Sequence, residues 1–327
     1  MFTYKPLAAA ILTLLSAQAF ADNDTSIQTQ TGDQNVATVT QSNGLYNTGY
    51  NLAEQDQAGF GGTVEIYQET DSYAEATQTQ TDSSSDSTLY AKQFATAGNS
   101  FSQQEQTAGS GNYGEVSQQH STSVSASQYQ SGSNNYALID QYGEDGSSAS
   151  IAQYGDNNAA TVAQTSPSGI NASNDVGVAQ LGYDNQADVT QYESTNSNVQ
   201  LIQGGELNTA TISQQGDGNT TLFGQGVSGN ELTASQEGDG NLIIGGSIGV
   251  DNLAELSQMG DGHTALVGQL GMDNEIALDQ QGANQYAEVT QLGYDNLASV
   301  TQNDMMANQA SIMQDGTGNL ATVTQGY

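Results

Sequence analysis

Asp217, Asp239 and Asp261 stand 22 residues apart, each inside a Gly-Asp-Gly phrase. Asp251, Asp273 and Asp295 repeat at the same interval of 22, each just before an Asn. Carboxylates in register have two chemistries open to them. They are hard oxygen donors for Ca2+, and a pair held in an apolar pocket can act as general acid and base. The six are therefore the candidate metal ligands of the chain. One carboxylate per repeat is few for a Ca2+ cage, and the 11-residue period departs from the nine of Ca2+-binding β-rolls. Two other readings fit the same residues. Asp beside Gly is tight-turn chemistry, and charge in register slows premature aggregation. Carboxylates stacked about 4.8 Å apart repel by roughly 1 kcal/mol per pair in water. Either charged reading thus expects faster assembly at low pH, and only the Ca2+ reading expects Ca2+ to act where Mg2+ does not.

Catalysis finds no support in the remaining residues. The arc carboxylates are expected to face solvent, without a pocket to raise a pKa. His120 is expected to be solvated. His263 replaces a repeated Asn, and neither histidine has the spacing of a metal pair or a nucleophile's partner. There is no Cys, which removes thiol chemistry, disulfides and Cys-based metal sites together. The chain reads as a non-enzyme without a cofactor.

These residues sit in a repeat that decides the fold. Gln recurs at 180, 191, 203, 214, 225, 236, 258, 269, 280, 291, 302, 314 and 325, in steps of 11 or 12 with one step of 22 where Ser247 stands instead. A fixed short period marks a stacked architecture. Within one unit, Asn296, Ala298, Val300 and Gln302 alternate with Leu297, Ser299 and Thr301, a period of two that puts each set on one face of a strand. The first face carries small apolar residues between two amides; the second is mostly Thr, Ser and acidic residues. Gly-rich arcs such as LGYD and EGDG follow each Gln and supply positive φ for tight turns.

Two strand-arc units make a 22-residue rung, so the expected fold is all-β, a two-sheet solenoid of about 13 rungs, roughly 60 Å tall, with amyloid-like cross-β stacking. Buried amides are tolerated only when paired, and an amide in the next rung can supply the partner. The expected ladders comprise Gln180, Gln191, Gln203, Gln214, Gln225, Gln236, Gln258, Gln269, Gln280, Gln291, Gln302, Gln314 and Gln325, with Asn185, Asn208, Asn219, Asn230, Asn241, Asn252, Asn274, Asn296 and Asn319. Ala and Val suit the thin space between the sheets, where Phe or Trp is expected not to fit.

Residues 131–327 form the regular array. Residues 22–130 follow the same plan with longer arcs, in two Gln series, 30, 57, 80, 106, 130 and 41, 68, 93, 118, 141. Pro167 marks a loop insertion within 165–176, because it cannot donate to a ladder. Residues 1–21 read as a secretory signal: Lys5 is the one charge, Leu7 to Leu15 is too short to span a bilayer, and Ala19-Phe20-Ala21 has the small-x-small cleavage pattern. Removing it leaves Lys92 against 36 acidic residues, a charge of −35. That excludes nucleic acid and anionic lipid as partners, and no further stretch is apolar enough to insert in a membrane.

The unit Gln-x-Gly-x-x-Asn-x-Ala-x-x-x-Gln resembles the curlin repeat of curli fibre subunits. It is met in full at Gln180/Gly182/Asn185/Ala187/Gln191, Gln203/Gly205/Asn208/Ala210/Gln214, Gln291/Gly293/Asn296/Ala298/Gln302 and Gln314/Gly316/Asn319/Ala321/Gln325, with His263 or Gln285 at the Asn position in near-matches. The resemblance implies a structural subunit of an extracellular curli-type amyloid fibre, a fimbria serving adhesion, aggregation and biofilm matrix. It implies secretion across both membranes of a Gram-negative cell through an outer-membrane pore, and polymerisation on a nucleating minor curlin. The repeats lack the basic residues of minor subunits, so the chain resembles the major type. It departs from the family in having many more repeats and little sequence before the first strand. The last repeat, ATVTQ, precedes only Gly326 and Tyr327, so an open edge is expected there. The rival readings are a non-polymerising β-solenoid adhesin, with Ca2+ as a candidate stabiliser, and an ice- or carbohydrate-binding solenoid. The irregular outward positions argue against the last.

Overall fold

The structure is a computed structural model that describes residues 24–42, 50–69, 73–81, 84–166 and 172–326. The signal segment and Pro167 lie outside the described residues. The described chain alternates between two parallel sheets and contains no helix. Thr25–Gln30, Leu52–Gln57 and every second strand through Gln309–Thr317 form sheet A. Val36–Ser42, Thr63–Glu69 and every second strand through Leu320–Gly326 form sheet B. Each stack has thirteen strands along its path, so the solenoid has thirteen two-strand rungs. The irregular first half joins the same two sheets; the Gln41 and Gln30 series each lie in register from rung to rung.

Period-two patterning translates directly into burial. In Leu297–Asp304, Ala298, Val300 and Gln302 point inward and are 0–1% exposed, while Leu297, Ser299 and Thr301 stay half-exposed. The inward residues of both sheets form one apolar cluster from Val116 to Ile312. The Gly of each Gln-x-Gly phrase is required by close approach. A Cβ on Gly293, at φ 118°, would lie 1.9 Å from the Gly316 carbonyl oxygen of the next rung.

Two expectations are corrected. Phe223 is inside the core, 4% exposed. It fits because the next rung carries Gly245 beneath it, where a Cβ would come within 2.7 Å of the ring. Not every arc carboxylate faces solvent: Glu144 is 1% exposed.

Candidate functional site

The inward amides form continuous ladders. In sheet B, Gln41, Gln68, Gln93, Gln118, Gln141, Gln164, Gln191, Gln214, Gln236, Gln258, Gln280, Gln302 and Gln325 are joined by twelve successive bonds of 2.7–3.0 Å. Each Nε2 donates to the Oε1 of the following rung, so all the dipoles point one way. The second Nε2 hydrogen goes to a backbone carbonyl of the facing sheet, as in Gln302 to Tyr286 at 3.1 Å. Along the interior of the ladder both hydrogens of each Nε2 except that of Gln191 are used, which is what makes an amide core affordable in the absence of water.

Sheet A carries the matching ladder from Gln30 through Gln153, Gln180 and Gln203 to Gln225. It breaks at Ser247, whose Oγ instead donates to Gln269 Oε1 at 2.7 Å, and it resumes through Gln291 to Gln314. An Asn ladder runs the opposite way. Asn185, Asn208, Asn230, Asn252, Asn274, Asn296 and Asn319 each donate Nδ2 to the Oδ1 of the preceding Asn at 2.9–3.0 Å. On the other arc, Asn241 N–H donates to Asn219 Oδ1 at 3.0 Å, and His263 N–H to Asn241 Oδ1 at 3.0 Å. His263 then accepts from Gln285 N–H through Nδ1 at 3.3 Å, doing the work of an Asn oxygen. Burial holds its pKa below the ordinary imidazole value, so the ring is neutral.

Sequence reasoning missed a third ladder. Gln28, Gln55, Gln78, Gln104 and Gln128 fill the middle inward position of sheet A and bond in series at 2.6–3.2 Å. Ile151, Val178 and Leu201 occupy that column afterwards. The Gln-x-Gln pairs were its visible signal. This polar core is why the first half shows a weaker apolar pattern.

The acidic columns bind backbone. Asp217 N–H donates to the Asp239 carboxylate at 2.9 Å, and Asp239 N–H to Asp261 at 3.0 Å. Hydrogen bonds from Asn196 and Thr195 hold the Asp217 carboxyl below the usual carboxylate range. Asp251, Asp273 and Asp295 take φ of 53–54°, the left-handed turn position that Asp tolerates. Among the described residues no three His, Asp or Glu side chains converge to hold a metal. His120 is exposed, yet its ring lies edge-on between Phe94 and Tyr142, at 5.4 and 5.5 Å. Tyr142, Tyr154, Tyr183 and Tyr294 are all exposed.

At the solenoid's ends the same residues are open. Leu320–Gly326 buries nothing fully: Ala321 and Val323 are only partly covered, whereas Ala298 and Val300 one rung earlier are 0% and 1% exposed. Among the described residues nothing covers this rung. Gln325 Nε2 faces outward as a donor and Asn319 Oδ1 as an acceptor. At the other end Gln41 and Gln30 donate to the next rung, and among the described residues no side chain donates to their Oε1 atoms.

Fold and ladders together define a class: a parallel two-sheet β-solenoid with an amide-zipped interior. The family model described as the curlin associated repeat matches residues 205–238, 249–282 and 271–303. Over those residues the chain carries curlin associated repeats. No curated protein matches it.

Proposed function

We propose that this chain is a structural subunit of an extracellular curli-type amyloid fibre, growing by end-to-end stacking of solenoids at the cell surface. One observation carries the reading. The exposed rung Leu320–Gly326 has the inward residues, Ala321, Val323 and Gln325, that every interior rung buries against an identical neighbour. A rung from another copy would cover them as Leu320–Gly326 covers Leu297–Asp304. Ladder polarity supports head-to-tail addition, because donor Gln325 meets acceptor Gln41 of the next copy, while a tail-to-tail junction would set donor against donor. Exposed flat edges of this kind template further strands. The reading includes export through an outer-membrane pore, nucleation by a minor curlin, and a role in adhesion and biofilm matrix. The chain then has no catalytic task; its chemistry is hydrogen bonding along an axis.

The test follows residues 22–327, released from denaturant, by thioflavin fluorescence and fibre diffraction. Lag-phase growth into unbranched fibres with a meridional reflection near 4.8 Å is expected. A β-rich monomer that persists for days, even when seeded, overturns the fibre and favours the adhesin.

A further inference from the structure

The outward surface of sheet A changes character in rungs nine to eleven. Thr220–Ser228, Leu242–Val250 and Thr264–Met272 contain no Asp, Glu, Lys or Arg, in a chain with 36 acidic residues. Sheet B at the same height is acidic, with Glu231, Glu255, Glu275 and Asp279 facing out. On the uncharged face, Leu222, Ile244 and Leu266 stack in one column. Gly224, Gly246 and Gly268 stack in the next. The face is therefore an apolar ridge beside a backbone-floored trough. Ile202 closes one end of the trough, 57% exposed, and Thr290 the other.

The solenoid itself does not require this trough. Gly224 and Gly268 have no positive φ, and a Cβ at either would meet no atom within 4 Å. Gly in a strand interior weakens it and often marks where another backbone approaches closely. At Gly246 a Cβ would lie 3.1 Å from the Gly224 carbonyl oxygen, but at Gly224 and Gly268 nothing in the same chain approaches.

We propose that this face pairs with the same face of a second copy, ridge into trough, with the two solenoid axes parallel. Symmetry selects that arrangement. A two-fold axis parallel to the solenoid axis, placed between the two columns, sets Leu222, Ile244 and Leu266 of each copy against Gly224, Gly246 and Gly268 of the other. The same operation sets Leu242 against Ile248. A two-fold along the strands would instead put ridge against ridge. The contact is isologous and resembles a dry steric zipper. Charge selects the partner: two copies repel over their acidic faces, and this face lets them approach without burying an acid.

Three rungs of seven residues present roughly 330 Å2 per copy, below what an isolated stable dimer needs. Pairing is thus weak between single chains. It becomes strong when stacked copies repeat the face along a fibre, because each added contact is then intramolecular. The proposal goes beyond the fibre reading, since the contact needs only a folded chain.

The test is mass per length of fibres grown from residues 22–327, by scanning transmission electron microscopy. Wild type is expected to hold two chains per solenoid length. Gly224→Glu/Gly268→Glu, which places four carboxylates in the contact, is expected to hold one. Gly268→Ile fills the trough without charge and is also expected to hold one. Its denaturation midpoint is expected at or above wild type, which separates loss of pairing from loss of fold. Wild-type fibres one chain thick, or variants still two chains thick, overturn the proposal. If the chain forms no fibres, the fibre reading fails separately. Sedimentation of concentrated monomer then decides the pairing: wild-type dimers abolished by Gly268→Ile support it, and a wild-type monomer at every concentration overturns it.

Discussion

Phe223 is accommodated by Gly245 of the following rung: the ring occupies the space where a Cβ at 245 would sit, 2.7 Å from its edge. The inward columns are therefore coupled between rungs, with a large residue above and none below. Gly245→Ala is expected to destabilise the chain by about 1–3 kcal/mol, the usual range for overpacking. Phe223→Leu in the same chain is expected to recover the part of that loss due to the ring, while the same Cβ still meets the Val267 carbonyl oxygen at 2.7 Å. A denaturation series on the two single variants and the double variant measures the coupling; additive effects would show that the pair does not share the space.

Val227 occupies the column that holds Gly205 one rung before and Gly249 one rung after, at φ 84°. A β-branched residue in the left-handed region is strained. Val227→Gly is expected to stabilise the folded chain by about 1 kcal/mol, the released strain less the entropy Gly brings to the unfolded state. Leu207, at φ 56° and exposed, is a second such site, and Leu207→Asn is expected to act in the same direction. Thermal unfolding of the two variants checks this.

Much of this molecule was legible because one pattern repeats. The alternation Asn296, Ala298, Val300, Gln302 gave both the inward face and the ladder, and stacking placed Gln280 and Gln325 on either side of Gln302 without further information. What escaped depends on pairs of rungs. Phe223 in the core contradicts the small-residue expectation until Gly245 is placed beneath it. Gln28 and Gln55 were not read as ladder residues, because a buried amide in mid-strand is tolerated only when an identical neighbour bonds to it. The uncharged face was written in TTLFGQGVS, LIIGGSIGV and TALVGQLGM. It became visible only when alternate strands were separated into two sheets.

Two buried titratable groups give opposite pH dependences. Burial raises the Glu144 carboxyl above its ordinary value of 4.5, against hydrogen bonds from Ser147 and Asn174. Its Oε1 has no hydrogen-bond partner. The folded chain holds this proton more tightly than the unfolded chain, so stability falls as pH rises from about 4.5 through the raised value. His263 is the reverse. Burial lowers its pKa from 6.5, so the unfolded chain takes up the proton first and stability falls as pH drops below about 6.5. Glu144→Gln is expected to stabilise at pH 7 and to do little at pH 4. His263→Asn is expected to stabilise at pH 5 and to restore an amide between Asn241 and Gln285. Denaturant midpoints across pH 4–8 for both variants test the signs.

The Asp217, Asp239, Asp261 column separates its three readings by substitution. Asp239→Asn removes one charge while keeping an oxygen to accept from Asp217 N–H, the bond now 2.9 Å long. If repulsion in the column restrains assembly, this variant shortens the lag at pH 7 and has little effect at pH 3. Asp239→Ala loses the bond as well, and is expected to cost about 1 kcal/mol of stability whatever the salt. Ca2+ at millimolar concentration that shortens the wild-type lag where equal Mg2+ does not would restore the six Asp residues as ligands.

The break at Ser247 is the clearest test of what the ladders contribute. Gln225 donates its two hydrogens to Thr209 and Asn230 carbonyls, at 2.9 and 3.0 Å, with no amide below it. Every other Gln of that column from Gln30 to Gln203 donates to the next Gln. Ser247→Gln places an amide in a column that already holds Gln225 above and Gln269 below. It joins the two halves of the ladder and aligns their dipoles into one. A gain of about 1 kcal/mol is expected, the net value of one hydrogen bond. The opposite change in the intact ladder of sheet B, Gln236→Leu, removes the donor to buried Gln258 Oε1 and the acceptor of buried Thr221 Oγ1, while Gln214 Nε2 keeps its bonds to Asn198 and Thr221. It is expected to cost about 2–4 kcal/mol, because two buried groups lose their bonds at once. Both variants are read by denaturant unfolding, and by hydrogen exchange at the rungs on either side. Should Gln236→Leu prove neutral, the amides would be passengers on a backbone stack that holds without them, and the polarity argued for fibre growth would lose its basis.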